Sequence, residues 1–222
     1  MSVQAVFFDI DGTLVHSNEF HVLAWHEAFV RHARDIPLAT IRRQIGKGAD
    51  KLIPDLLPDC DSTLRKSIDE AHGEIFSSRY LHEVKPFRRA SELIHTLHQR
   101  QIRVVLASSA KQEEMEFYVN LLEIGTVLTG TVTSRDVNES KPAGDIFAVA
   151  LTHVQPLRAE HTLAVGDTVY DVVSAKQNGI GTLGLRTGPF TDEELEAAGA
   201  LAIYENVADI LGDLGRVLTL RG

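Results

Sequence analysis

The amino-acid sequence predicts an α/β fold in which a parallel sheet is interrupted by an inserted helical segment. Short apolar, β-branched runs recur along the chain, and such runs are typical of strands buried on both faces of a parallel sheet. Segments with a helical spacing of apolar residues lie between them, as the strand and helix alternation of an α/β domain requires. One long stretch near the N-terminus has no such strand, which predicts the insertion.

Five apolar runs are the predicted strands. Residues 3–8 form the most continuous run, and residues 102–107 repeat its character. Residues 163–165 and the more glycine-rich residues 181–185 are two further strands, and residues 127–133 are a weaker candidate. Together these runs predict the sheet.

Two segments between the strands have the pattern of helices. The i, i+3, i+4, i+7 spacing of an amphipathic helix is followed by Ala90, Leu93, Ile94 and Leu97. Pro142 lies where the first turn of a helix through residues 146–150 would tolerate a proline. Both helices would cover the predicted sheet.

Residues 16–84 contain helix-like segments and no convincing strand, so we interpret them as an inserted α-helical domain. The polar stretch 16–18 marks its first boundary. Residues 84–86 mark the second, because Pro86 biases the preceding residue away from helix. The α/β core is therefore predicted to be discontinuous, with residues 1–15 and 85–222 forming one domain.

Composition limits the classes of function. The 222 residues include 22 basic and 31 acidic side chains, so the formal net charge is −9, and 44% of the residues are apolar. An acidic chain makes nucleic acid or an anionic membrane an unlikely general partner, because both attract positive charge. The single cysteine, Cys60, allows no internal disulfide, and no apolar run approaches the roughly 18 residues of a membrane helix. These features favour a cytoplasmic protein.

Two carboxylates follow the first predicted strand. Asp9 and Asp11 are two residues apart on an extended segment, so their side chains point the same way. They lie at the carboxyl end of a strand, where open α/β sheets bind their ligands. Gly12 lets the backbone turn sharply and lets a ligand oxygen approach the amides. The alternative interpretation is an ordinary Asp-Gly turn.

A second acidic pair follows the strand at residues 163–165. Asp167 and Asp171 are four residues apart at a strand-to-helix junction, so both can turn toward one site. Carboxylate oxygens are hard ligands of the kind that Mg²⁺ prefers. The alternative is a helix N-cap and a first-turn aspartate favoured by the helix dipole.

Two further polar residues reach the same predicted edge of the sheet. Ser108 follows the strand at residues 102–107, although a turn or helix-cap serine is the simpler interpretation. Lys141 precedes a predicted helix whose N-terminal amides favour anions. A lysine in this place can also be a solvated surface charge.

In this order and spacing, the four segments resemble the motifs of the haloacid dehalogenase (HAD) superfamily of phosphohydrolases. The residues that carry the resemblance are 9–13, Ser108, Lys141, and Asp167 with Asp171. The resemblance covers essentially the whole chain and implies a Rossmann-like parallel sheet core with a small α-helical cap. The position of the insertion and the stretch 17–21 resemble the subfamily that contains phosphoglycolate phosphatase and β-phosphoglucomutase.

The resemblance implies a Mg²⁺-dependent phosphatase that forms an aspartyl phosphate on Asp9. Asp11 would be the general acid for the leaving alcohol and then the base for water, which requires a raised pKa. Mg²⁺ would be held by Asp9, the backbone carbonyl of Asp11 and Asp167, with Asp171 supporting the site.

The same resemblance assigns the phosphate to a set of neutral and cationic groups. These are Gly12, Thr13, Ser108 and Lys141. Three clustered aspartates facing a phosphate dianion require the divalent ion and the Lys141 ammonium group. A net acidic chain is compatible with an anionic substrate, because the attraction is local.

Three residues of the predicted cap are candidate substrate contacts. His21 and Trp25 form an i, i+4 pair that can border the cleft, or can pack within the cap. Lys47 lies between two glycines and can reach a phosphate. His16 stands where many relatives have aspartate, so we hypothesise that it alters the hinge into the cap.

Two positions favour hydrolysis over phosphoryl migration. Mutase-like relatives carry a lysine and an arginine for the distal phosphate where this chain has Ile45 and Ala49, and Lys47 could substitute for them. The predicted reaction is therefore hydrolysis of a small phosphorylated metabolite, such as a sugar phosphate or phosphoglycolate. A phosphomutase like β-phosphoglucomutase and a non-catalytic phosphometabolite-binding protein are the alternatives. The sequence identifies neither the substrate nor the oligomeric state.

Overall fold

A computed structural model describes residues 3–220 of the chain and places a fully parallel, six-stranded sheet at its centre. The strand order is β3-β2-β1-β4-β5-β6. The strands are β1 (Ala5–Phe8), β2 (Arg103–Ala107), β3 (Gly130–Val132), β4 (Thr162–Gly166), β5 (Gly181–Leu185) and β6 (Ala202–Tyr204). The strand order reverses at β1, so a crevice opens at the carboxyl ends of β1, β2 and β4.

Four helices separate β1 from the next element of the core. They are α1 (Asn18–Arg31), α2 (Leu38–Arg42), α3 (Ala49–Leu56) and α4 (Ser62–Ile75). A wider π-helical turn at Phe76–Tyr80 and a 3₁₀ turn at Leu81–Glu83 continue α4. This helical segment is called the cap below.

The remaining helices belong to the α/β core. They are α5 (Ala90–Gln99), α6 (Gln112–Leu121), α7 (Asp145–His153), α8 (Val169–Lys176), α9 (Asp192–Ala198), α10 (Val207–Gly212) and α11 (Leu214–Val217). The predicted α/β class with a helical insertion is therefore confirmed. All five predicted strands are present. β6 is an edge strand whose three residues are only partly buried, and it was not predicted.

Alternation along β1 builds two apolar layers. All four of its residues are buried, with Val6 and Phe8 in one hydrophobic cluster and Ala5 and Phe7 in the other. A strand buried on both faces is apolar throughout, so the polar Asp9 marks the end of the apolar run of β1.

The predicted helices are present with one correction. The side chains of Ala90, Leu93, Ile94 and Leu97 are buried along α5, as their spacing predicts. The helix after Lys141 begins at Asp145, so the placement of Pro142 in its first turn was wrong. The chain first makes a turn, closed by a hydrogen bond from the Ala143 amide to the Ser140 carbonyl oxygen (3.0 Å).

The two connections between the cap and the core run side by side. Val15 bridges Pro86, and the His16 amide donates a hydrogen bond to the Lys85 carbonyl oxygen (2.8 Å). The His16 ring is exposed and lies on Phe87, with 3.5 Å between ring centroids. We propose residues 16–84 as the cap domain on this basis, and the effect of His16 on the hinge stays a hypothesis. Within residues 3–220, no helix is long and apolar enough to cross a membrane.

Candidate active site

The parallel sheet brings the polar residues of four sequence segments to one edge. Asp9 continues the ladder of β1, since its amide donates to the Val165 carbonyl oxygen at 2.9 Å. Ser108 follows β2 and Asp167 follows β4. All three side chains are buried. The predicted juxtaposition therefore exists, because parallel strands place their carboxyl ends at the same edge.

Lys141 is the cation of this site and is almost completely buried. Its Nζ atom donates to Asp9 Oδ1 (2.6 Å) and to the Ala107 carbonyl oxygen (2.9 Å), and it lies 2.7 Å from Asp171 Oδ1. Burial alone would lower the pKa of Lys141, but the Asp171 and Asp9 carboxylates raise it above its ordinary value. The ammonium group is therefore charged and fixed between two carboxylates.

Three buried carboxylates lie close enough to share one cation. One oxygen each of Asp9, Asp167 and Asp171 lies within 4.8 Å of the others. Burial raises the pKa of Asp9 to about 7, against the opposing effect of Lys141. Burial and the charges of Asp9 and Asp171 also hold the pKa of Asp167 well above its usual range. One ammonium group therefore leaves this cluster short of positive charge.

Asp171 uses both of its oxygens within the protein. Oδ1 lies beside Lys141, and Oδ2 accepts from the Thr168 hydroxyl (2.6 Å) and the Thr168 amide (3.1 Å). The Asp171 amide in turn donates to the Thr168 hydroxyl oxygen (3.2 Å), which completes a capping box at the start of α8. Asp171 therefore has both of the roles that its sequence position allows: it caps helix α8 and it lies beside the acidic site.

Gly12 and Thr13 line the acidic cluster. Gly12 has a φ of +74°, and a Cβ atom there would collide with the side chains of Asn18 and Asp167. The Thr13 hydroxyl is buried, 3.5 Å from both Asp9 Oδ2 and Asp167 Oδ1. The residue after Asp11 must therefore be glycine, for reasons of conformation and of space.

Asp11 points away from the acidic cluster toward the cap. Its Oδ1 atom accepts from the Ser17 hydroxyl (2.6 Å) and lies 3.1 Å from His21 Nε2. Burial raises the pKa of Asp11, but the charge of His21 and the hydrogen bonds from His21 and Ser17 lower it by a larger amount. The pKa of Asp11 therefore lies below its ordinary value. This differs from the raised pKa expected of a general acid, and the cause is His21.

His21 belongs to a stack of aromatic rings inside the cap. Its Nδ1 atom lies 3.3 Å from His72 Nε2, and its ring stacks on Phe76. His72 in turn stacks on Trp25, with 3.8 Å between centroids. Burial lowers the pKa of His72 well below its ordinary value, so this ring is neutral. The cap thereby fixes the imidazole that contacts Asp11.

A cavity of about 80 Å³ encloses the candidate catalytic groups. Its core side is formed by Asp9, Asp11, Glu114 and residues 108–111, which include Lys111. From the cap it is lined by His21, Trp25, His72, Asp69 and the loop from Ile45 to Ala49. The Ser108 hydroxyl accepts a hydrogen bond from the Ala110 amide (3.1 Å). The structure thus brings Ser108 and all three cap candidates to one cavity.

Lys47 reaches the cavity wall but its ammonium group is already paired. It donates to Gln44 Oε1 (2.6 Å) and Asp55 Oδ2 (2.5 Å), and it lies over the Tyr170 ring. Ile45 and Ala49 also line the cavity, and neither supplies a charge.

Sequence reasoning missed several polar residues of the site. Asn18 donates to Asp167 Oδ2 (2.7 Å), and its place in the stretch 17–21 that carries the subfamily resemblance was the available signal. His72 occupies the apolar face of α4 between Ile68 and Ile75, so a histidine at a core position was its signal. Glu114 is buried near the start of α6, and nothing in its spacing marks it.

A second cavity of about 590 Å³ lies at the hinge. It reaches Gly12 and Asn18 and is lined on the cap side by Phe20 and on the core side by Phe87 and Pro189. Ile45 borders both cavities, so the loop that carries it separates them.

Comparison with known proteins identifies the family. A family model described as haloacid dehalogenase-like hydrolase matches residues 6–185. The chain is 23% identical over 220 residues to pyrophosphatase PpaX of Anoxybacillus flavithermus, and the aligned region covers 97% of this chain and 98% of that protein. It is 26% identical over 189 residues to validoxylamine A 7'-phosphate phosphatase of Streptomyces hygroscopicus subsp. limoneus, covering 83% of this chain and 86% of that protein.

A solved structure supports the same assignment. A hydrolase from Pseudomonas syringae has a TM-score of 0.91 at 27% identity, covering 98% of this chain and 100% of that chain. The family model covers most of the sheet and all four sequence segments. The protein therefore belongs to the haloacid dehalogenase-like hydrolase family.

Proposed function

We propose that this protein is a Mg²⁺-dependent phosphatase that hydrolyses a small phosphorylated metabolite through an aspartyl phosphate. The observation that carries the proposal is the setting of Asp9. Its carboxylate is held by Lys141 at 2.6 Å, belongs to a buried acidic cluster, and faces the cavity that Asp11 also lines. A nucleophile, a cation and a second carboxylate in one enclosed cavity match the needs of phosphoryl transfer.

Asp9 is the proposed nucleophile. Lys141 fixes one of its oxygens, while the other oxygen makes, among residues 3–220, only the long 3.5 Å contact with Thr13. A carboxylate oriented in this way is available to attack phosphorus, with the substrate oxygen leaving on the opposite side. Hydrolysis of the resulting acyl phosphate then regenerates Asp9, so one difficult displacement becomes two easier ones.

Asp11 is the proposed general acid and base. The hydrogen bonds that it makes to described residues all involve Oδ1, through Ser17 and His21. Oδ2 therefore stays available to give a proton to the leaving oxygen and to take one from the attacking water. Asp11 lines the cavity beside Asp9, as this role requires.

The acidic cluster fits a magnesium ion. Its donors are hard carboxylate oxygens, and a single ammonium group does not balance their charge. Asp9 and Asp167 would hold the ion together with the Asp11 carbonyl oxygen, while Asp171 holds Lys141. When bound, the ion would neutralise the anionic substrate and nucleophile.

The phosphate-binding roles fall to groups around the same edge. Lys141 supplies a fixed charge, and Ser108 supplies a neutral hydroxyl at the cavity wall. Thr13 supplies a hydroxyl next to Asp9, whereas the amides of Gly12 and Thr13 already donate to the carbonyl oxygens of Val15 (2.9 Å) and Ile10 (3.0 Å). The proposed contribution of Gly12 is therefore the space that its missing side chain leaves beside Asp167. Closure of the cap over these groups would exclude water during transfer.

Hydrolysis is preferred to phosphoryl migration because no free cation faces the cavity from the loop at residues 45–49. Lys47 is paired with Asp55 and Gln44, and Ile45 and Ala49 carry no charge. The proposed partner is a free small metabolite. The proposed location is the cytoplasm, in line with the acidic composition and the single cysteine.

Phosphate release tests this proposal. Aryl, sugar and two- to three-carbon phosphates and pyrophosphate would be assayed with Mg²⁺ and with EDTA, beside Asp9→Asn. We expect release that requires both Mg²⁺ and Asp9, and no isomerised sugar phosphate. Normal turnover by Asp9→Asn would exclude the mechanism, and isomer without free phosphate would identify a mutase.

A further inference from the structure

Ser140 connects the core segment that carries Lys141 to the cap. The residue is buried, although its side chain is polar. Its amide donates a hydrogen bond to Asp50 Oδ2 (3.1 Å), and its hydroxyl oxygen accepts one from the Gly48 amide (3.0 Å). Both partners belong to the cap, so a single core residue makes two hydrogen bonds across the interface.

Close packing at Gly48 accompanies these two bonds. Gly48 is the N-cap residue of α3, a position where asparagine, aspartate and serine are preferred to glycine. Its φ of −75° is open to any residue, so conformation does not require glycine here. Space does, because a Cβ atom at Gly48 would lie 2.6 Å from Ser140 Cβ and 2.7 Å from the Ser140 hydroxyl oxygen. The absent side chain therefore lets the cap backbone approach Ser140.

Asp50 has a simpler explanation, but that explanation does not account for its contact with the core. An acidic side chain in the first turn of a helix is stabilised by the helix dipole, and Asp50 lies in the first turn of α3. That effect needs no partner in the core. The hydrogen bond to Asp50 also gives the amide of the buried Ser140 the acceptor that a buried amide requires.

The two sides of this contact carry different parts of the candidate active site. On the core side, the Ser140 hydroxyl donates to the Lys141 carbonyl oxygen (3.4 Å), and Lys141 Nζ holds Asp9 at 2.6 Å. On the cap side, Gly48 belongs to the loop at residues 45–49, which lines the cavity. The contact therefore joins the segment that would bind the phosphate to a loop that would border the leaving group.

We propose that Ser140 and Asp50 are positioning residues, which dock the loop at residues 45–49 beside Lys141 and so fix the shape of the cavity. The inference rests on the proposed function, since it takes Lys141 as the cation that binds the phosphate. Phosphoryl transfer depends on the alignment of the nucleophile with the leaving oxygen. With both hydrogen bonds made, the phosphate end and the leaving-group end of the cavity are held at a fixed distance. Movement of the cap away from the core breaks both bonds.

Removal of either bond should weaken turnover while the catalytic groups remain. Asp50→Ala removes the acceptor of the Ser140 amide, and Ser140→Ala removes the acceptor of the Gly48 amide. With a three-carbon phosphate as substrate, we expect kcat/KM to fall about fivefold in each variant. Because both bonds hold one contact, the loss in the double variant should be smaller than the product of the single losses. Asp50→Asn keeps an oxygen that can accept, so it should stay within about twofold of the parent protein.

Fluorescence of Trp25 reports the docking of the loop without any catalysis. Trp25 is the only tryptophan of the chain, is buried, and lines the same cavity as the loop at residues 45–49. Undocking of the loop opens this cavity, so acrylamide should quench Trp25 about twofold more strongly in Asp50→Ala and Ser140→Ala than in the parent protein. A purely structural role would change the midpoint of urea unfolding but not the quenching of folded protein. Asp50 is an exposed residue, so Asp50→Ala should leave the fold intact.

Lys51→Met is the matched control. Lys51 Nζ pairs with Glu139 Oε1 (3.1 Å) across the same interface, directly beside Asp50 and Ser140. An ion pair between partly exposed side chains contributes little. The control should therefore keep the quenching and the kcat/KM of the parent protein. Equal effects of Lys51→Met and Asp50→Ala would overturn the proposal, because any contact between cap and core would then serve.

The two measurements distinguish this inference from the proposed function. If the parent protein releases no phosphate with Mg²⁺, the proposed function fails, and the quenching comparison still decides whether these bonds dock the loop. If the parent protein is active and both alanine variants match it in quenching and in kcat/KM, only the inference about Ser140 and Asp50 is wrong. A change in one measurement without the other, or losses that simply multiply in the double variant, would overturn it as well.

Discussion

The Nζ atom of Lys141 lies 2.6 Å from Oδ1 of Asp9, although 132 positions separate the two residues in the chain. The pair is buried, and Asp171 lies on the other side of the ammonium group at 2.7 Å. Buried charges are costly unless they are paired, so each member of this group depends on the others. The proposed nucleophile is thus held in place by the same cation that would bind the phosphate.

Removal of the Lys141 charge should destabilise the fold as well as abolish turnover. Lys141→Met keeps the length of the side chain but leaves Asp9 and Asp171 buried without a counter-ion. We expect the free energy of unfolding in EDTA to fall by about 3 kcal/mol. Urea denaturation measures this loss. Lys66→Met is the control, because Lys66 is exposed in its pair with Glu70 and should change stability by less than about 0.5 kcal/mol.

Magnesium should stabilise the folded protein in the absence of substrate. The cluster of Asp9, Asp167 and Asp171 is short of positive charge, so a bound ion would favour the native state. At 100 times its Kd, the ion should raise the free energy of unfolding by about 2.7 kcal/mol. Asp167→Asn should remove this increase, whereas Asp69→Asn, at the cavity wall outside the cluster, should keep it. An equal Mg²⁺ effect in both variants would mean that the ion binds elsewhere.

Stability of the metal-free protein should fall as the pH rises from about 4 to 7. Burial raises the pKa of Asp9 from 3.8 to about 7, so the folded state binds a proton that the unfolded state has released. A group whose pKa is raised by folding stabilises the folded state at pH values below its unfolded pKa. This contribution is lost as the pH rises through its folded pKa. In EDTA, Asp9→Asn should therefore make the dependence of the free energy of unfolding on pH shallower, and the raised pKa of Asp167 accounts for the slope that remains.

A surface carboxylate provides the control for this pH dependence. Hydrogen bonds from Arg186 lower the pKa of Asp192 from its ordinary value of 3.8, so its effect on stability falls in more acidic conditions than that of Asp9. Asp192→Asn should leave the slope between pH 4 and 7 as in the parent protein. A slope as steep in Asp9→Asn as in the parent protein would show that other buried groups cause the pH dependence.

Sequence reasoning was most successful where the chemistry is local to one strand end. Recognisable sequence motifs contain Asp9, Asp167 and Lys141. A parallel sheet brings these motifs to one edge, so their proximity could be predicted without knowing any side-chain contact. The side chain of Asp11 was harder to place, since its orientation depends on His21 across the interface with the cap. His72 was missed for a related reason, because it looks like a core residue of its own helix.

Selection for small substrates should depend on Trp25. The cavity measures about 80 Å³, and a water molecule takes about 30 Å³ in the liquid, so a compact leaving group is accommodated beside the phosphate more easily than a large one. We expect higher kcat/KM for two- and three-carbon phosphates than for hexose phosphates. Trp25→Leu enlarges the cavity and should raise the ratio of hexose to three-carbon kcat/KM about tenfold.

A ratio of two substrates does not respond to the fraction of folded enzyme, so it separates cavity size from stability. Tyr80→Leu is the matched control, because Tyr80 stacks on Phe20 in the cap and does not line this cavity. The Trp25 variant should shift the ratio and the Tyr80 variant should leave it unchanged. Equal ratios in both variants would show that the closed cavity does not select the substrate, and the larger cavity at the hinge would then be the place to look for the leaving group.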